Sequence, residues 1–153
     1  MQKKRLNFII FLMVIVIILG GCNNKKDINN MSLKSILNTS YKGVKKDIPD
    51  TDTIIINDNN FNYYLGNANL KYKQAIASEP KISSVAHLVV IIRLDNNENV
   101  QNAIKQIEEN IDPRRWVCVE AEKTIVEANG NVIILVMSNA NSAEKIIENF
   151  KNI

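Results

Sequence analysis

Residues Thr124 to Met137 read TIVEANGNVIILVM. Two β-branched runs flank Asn129-Gly130, and Asn-Gly between such runs is the strongest short-range signal for a β-hairpin. The pattern predicts a two-residue turn at Asn129-Gly130 joining strands at about 124–128 and 131–137. The second run, VIILVM, contains no polar residue, so both of its faces need cover and its place is central in a sheet. VAHLVVIIRL, residues 85–94, is nearly as apolar and asks for the same position.

Working outward, LKYKQAIAS (70–78) alternates weakly, with Leu70, Tyr72 and Ile76 assigned to one face, and pairs with 85–94 through the Glu79-Pro80 connection. Helical spacing follows each hairpin. Val100, Ala103, Ile104, Ile107 and Ile111 form one stripe behind Asn96 or Asn97 as cap. Ala143, Ile146, Ile147 and Phe150 form another, with Asn141 and Glu144 approximating a capping box. A third stripe, Leu33, Ile36, Leu37, Tyr41 and Val44, lies upstream with Gly43 near its end. DTIIIN (52–57) reads as a short strand, and DNNFNYYLG (58–66) as a helical turn capped by Asp58, with 48–66 left open between strand and helix. IDPRRWVCVEA (111–121) either continues as strand or starts a helix at Asp112 and Pro113, the helix being favoured. The expected fold is α+β: a mostly antiparallel four-stranded sheet with helices packed on one face. The ββα unit occurs twice, at about 70–111 and 124–151, preceded by a helix, and the 48–66 segment covers part of the other face or leaves it exposed.

The N-terminal segment has a different logic. Lys3, Lys4 and Arg5 precede a wholly apolar run from Phe8 to Leu19. Twelve helical residues span about 18 Å, short against a hydrocarbon core of about 30 Å, which suits the h-region of a secretory signal. The run ends in Leu19-Gly20-Gly21-Cys22, which resembles the bacterial lipobox. That resemblance implies diacylglyceryl transfer to the Cys22 thiol and cleavage before Cys22, with Leu19, Gly20 and Gly21 recognised by the signal peptidase. The alternative is an uncleaved N-terminal anchor. Either places the domain at the extracytoplasmic face of the cell membrane. The expected organisation is a signal peptide over 1–21, a flexible Asn-rich tether over 22–31 and one domain over 32–153.

Processing changes the charge. The chain carries 19 basic and 16 acidic residues, and the signal holds three of the basic ones and no acid, leaving 16 against 16. A neutral domain has no field to gather phosphates, so nucleic acid is not an expected partner. With Cys22 acylated, Cys118 has no internal disulfide partner, and its place between Val117 and Val119 reads as a small buried thiol. His87 is the single histidine, which excludes a multi-histidine metal site; it reads as a sheet-face or edge residue rather than a catalytic base. No phosphate loop and no G-x-S-x-G occurs, and no cofactor is implied. Glu108 and Glu109 are helix neighbours that do not face one another. Arg114, Arg115 and Trp116 are a weak candidate for ligand contact, against a helix start with Trp116 in the core.

The order of lipobox, tether, helix, long strand, helix, hairpin and terminal helix resembles small Gram-positive lipoproteins of the domain-of-unknown-function family 4358, over about residues 32–151. His87 stands where that family often carries an acidic residue. The resemblance implies location and architecture and supplies no catalytic residue. Two function classes follow. One is a non-enzymatic binding or scaffolding module, held to the membrane by its diacylglyceryl cysteine and docking an envelope protein or wall polymer. The other is a small envelope hydrolase acting on wall polymer. A deep pocket joining Glu79, His87 or Arg114 to a second ionisable group favours the enzyme; a flat apolar patch or open strand edge favours docking.

Overall fold

A computed structural model describes residues 27–153; the signal, the lipobox and Cys22 lie outside the described residues. The hairpin forms as expected, with β4 (Lys123–Asn129) paired antiparallel to β5 (Val132–Ser138). Its turn sits one residue later than the Asn-Gly pair suggests. Asn129 pairs with Val132, so Gly130 and Asn131 are the two loop residues. Gly130 has φ +60° while Asn131 keeps negative φ, the pattern of a II′ turn with glycine first.

β5 also pairs with β3 (Leu88–Leu94), which pairs with β2 (Tyr72–Pro80). DTIIIN does form a strand. β1 (Thr51–Ile55) adds antiparallel to the outer side of β2, giving a five-stranded antiparallel sheet in the order β1-β2-β3-β5-β4. The four-strand expectation falls short because this edge strand is half exposed and carries too little apolar signal to count on its own.

The helices are α1 (Leu33–Ser40), the short α2 (Phe61–Leu65), α3 (Val100–Asn110) and α4 (Ala140–Lys151). They cover both faces of the sheet, not one. Val90, Ile92, Ile133 and Leu135 pack under α2 and α3 through Leu65, Ala103 and Ile107. Val89, Ile91, Ile134 and Val136 pack under α1 and α4 through Ile36, Ile146 and Phe150. The reason lies in β3 and β5 themselves: strands apolar on both sides strand half their side chains in water unless each face is roofed. α3 is the crossover from β3 to β4, which run parallel with β5 between them, and it takes one face; α4, after β5, takes the other.

Leu70 and Tyr72 join the α3 side whereas Ile76 joins the α1 side, contrary to the single face assigned to them. A bulge explains it. Tyr72 pairs with Leu94 and Gln74 with Arg93, so Lys73 is an extra residue that reverses the alternation.

Ser32 caps α1, and asparagines cap α3 and α4, though not the ones expected. Asn99 rather than Asn96 or Asn97 accepts from Asn102 N, and Asn139 rather than Asn141 accepts from Ser142 N. Glu144 pairs instead with Lys123. Asn60, not Asp58, stands at the start of α2. Residues 111–122 form neither helix nor strand. Asp112 caps only a turn through Arg114 N (2.9 Å), and Cys118 sits exposed at φ +64°, not buried.

The folded part begins earlier than Ser32. Asp27 caps a 3₁₀ turn, Ile28–Asn30, and Ile28 is buried with α1 and α4. Arg93 donates to the carbonyls of Ile28 and Met31, and Asn131 N donates to Asn29 Oδ1 (3.2 Å). Residues 27–31, read as tether, are thus packed against the β4–β5 turn.

Candidate functional site

At the opposite end of the sheet, three neighbouring strands place polar residues on the α1 side. Ser78 ends the apolar phase of β2, His87 immediately precedes β3, and Ser138 ends β5. Tyr41, just past α1, reaches down onto them. Its hydroxyl is hydrogen-bonded to Ser78 Oγ (2.9 Å) and lies 2.9 Å from His87 Nε2, while His87 Nδ1 lies 2.8 Å from Ser138 Oγ. Both His87 nitrogens are thus engaged by hydroxyls, Nε2 by Tyr41 and Nδ1 by Ser138, and either tautomer of the neutral ring satisfies both. The row is one continuous chain of hydrogen bonds closing that end of the core.

Burial sets its electrostatics. His87 is 0 % and Ser138 1 % exposed. Desolvation lowers the His87 pKa to about 4 and pushes the Tyr41 hydroxyl well above the ordinary phenol range. His87 therefore stands on the α1-side face of the sheet, as a sheet-face reading expects, but wholly buried there.

Above this row opens a cleft of about 440 Å³, with His87 and Ser138 in its floor and Lys46, Asp47, Ser84, Glu120 and Glu122 around it. Glu122 is tied down: its carboxylate accepts from Ala140 N (3.0 Å) at the start of α4, where the helix dipole favours negative charge. Ile82, Val85 and Val117, from the loops at this end, are exposed. Glu79 and Arg114 do not join the cleft. Arg114 is exposed with its guanidinium 3.8 Å from Asp112. Arg115 lies 4.3 Å over the Tyr63 ring and 5.9 Å from that of Trp116, and Trp116 packs partly into the core below α3. The stacking face of Arg115 is already used within the chain.

Chemically, Ser138 against His87 has the spacing of a hydroxyl activated by a base. Three features oppose that use. The second nitrogen of His87 faces a tyrosine, with no carboxylate to stabilise an imidazolium, and a base titrating near 4 is weak at neutral pH. The hydroxyl is also covered. No group of three or more His, Cys, Asp or Glu side chains placed to hold a metal occurs among the described residues. A comparison of the chain with family models, curated proteins and solved structures gives no match. Sequence reasoning missed Tyr41, Ser78 and Ser138, which lie 37 to 51 residues from their partners. Their only sequence signal is polarity at the ends of otherwise apolar phases.

Proposed function

We propose that this protein is a lipid-anchored lipoprotein of the extracytoplasmic membrane face that binds or scaffolds an envelope partner, protein or wall polymer, without turning it over. One observation carries the binding half of this reading: the single serine–histidine pair in the floor of the cleft is buried, so what the cleft offers a partner is a rim of charges and exposed apolar loops. The run FIIFLMVIVIILGGC supports the anchor, and the balanced charge beyond it supports no nucleic-acid role. The order of elements supports kinship with the lipoprotein family it resembles.

The Ser138–His87 distance favours a second reading, a hydrolase of wall polymer that opens to expose its serine. Ser138→Ala separates the two. A binding module carrying it retains capture of a partner photo-crosslinked from Val85 or Val117, and the parent protein shows no turnover of peptidoglycan fragments, peptides or esters. Turnover by the parent that Ser138→Ala abolishes without unfolding the protein overturns the binding reading.

A further inference from the structure

The position of the chain's entry into the fold bears on which end of the domain meets the membrane. Asp27 to Met31 are fixed at the β4–β5 turn by Arg93, by Asn131 and by burial of Ile28. The strand register puts Tyr72, Leu94, Val132 and Asn129 at that same end, and Thr51, Pro80, Leu88 and Ser138 at the other. Six residue steps along β3, from Leu94 to Leu88, separate the ends by about 20 Å. Only five links join Asp27 to Cys22, and fully extended they reach about 17 Å.

We infer that the β4–β5 turn end is the face this domain rests on the lipid bilayer, and that the cleft end is held away from it. The inference rests on the anchor at Cys22 proposed above. A lipidated Cys22 cannot lie farther from the turn than its five links allow, whereas the cleft stands a full strand length beyond. The chemistry of the turn end suits a bilayer surface of either charge. Exposed Asn96 and Asn97 supply neutral polar groups for headgroup oxygens, and Asp58, Lys71 and Asp95 share one shallow depression with Lys73 beside it on Asn96, so neither sign dominates. The consequence for function is a choice of partner. The cleft, with Lys46, Asp47, Glu120 and Glu122, addresses molecules on the wall side and not lipids or membrane-embedded segments.

The test uses the full lipidated chain in vesicles, with Cys118→Ser and a fluorescent label on either Asn97→Cys at the turn end or Ser84→Cys at the cleft end. The vesicles carry a headgroup-attached quencher in zwitterionic or in anionic lipid. The label at residue 97 is expected to be quenched several-fold more strongly than that at 84, in both lipids. Equal or reversed quenching, with mass spectrometry showing Cys22 lipidated, overturns the orientation alone. A contrast found only in anionic lipid overturns the charge-neutral contact. An unmodified Cys22 removes the anchor, and the orientation falls with it.

Discussion

Protonation of His87 sets a specific acid limit on this fold. In the unfolded chain an imidazole titrates near 6.5; in the folded one it titrates at about 4. Above 6.5 the group is neutral in both states and stability is complete. As pH falls from 6.5 towards 4, the unfolded chain takes up a proton that the folded chain refuses, and stability drops by about 3 kcal/mol before levelling off. Urea midpoints measured at about pH 7 and about pH 4.5 are expected to show that drop, and His87→Gln is expected to flatten it while lowering stability at neutral pH. Equal pH slopes in parent and variant contradict the buried neutral imidazole. Arg93 yields a second expectation. Arg93→Met removes the donors to Ile28 and Met31 and spares the sheet ladder, so amide exchange is expected to quicken across 27–31 and to stay unchanged in β3 and β5.

Among the elements, two glycines are under different constraints. Gly66, after α2, has φ +61°, and a Cβ there would lie 2.2 Å from the backbone oxygen of Asn110. Backbone cannot give way as a side-chain tip can, so Gly66→Ala is expected to cost more than about 2 kcal/mol in urea unfolding. At Gly130 the nearest obstacle is only the Asn29 side chain, 2.7 Å from a built Cβ, and φ +60° sets the penalty. Gly130→Val is expected to cost about 1–2 kcal/mol in the same assay. The elements also divide by how plainly the sequence announces them. β3, β5 and the three long helices were legible because their apolar spacing runs unbroken for two turns or more. β1 was ambiguous because it is half exposed. The inserted Lys73 hides in a weakly alternating strand, and several neighbouring asparagines compete for each cap. Trp116 to Val119 look like strand or helix, yet the positive φ at Cys118 belongs to neither. The polar row under Tyr41 was not legible at all, since it is assembled from four distant stretches by the closing of the sheet.

At the scale of the whole molecule, the anchor expectation is direct. Cys22→Ala is expected to abolish lipid labelling and leave the precursor uncleaved, read by mass spectrometry of the membrane fraction; a mature protein beginning elsewhere with an unmodified Cys22 contradicts it. One feature of the packing reaches further. Ile28 and Ile153 lie in the same cluster, Asn29 meets Asn131 on one side of the β4–β5 turn, and Phe150 O accepts from Asn129 on the other. The first and last described turns are therefore neighbours. The chain can be circularly permuted, with residue 153 linked back to 27 and new ends opened among the exposed residues 82–84, without parting any two paired strands. A lipid signal fused to those new ends would hang the same fold from the membrane upside down, its cleft against the headgroups and its asparagines outward. A cell that needs the native protein but rejects this inverted one would be reading its direction, not merely its presence.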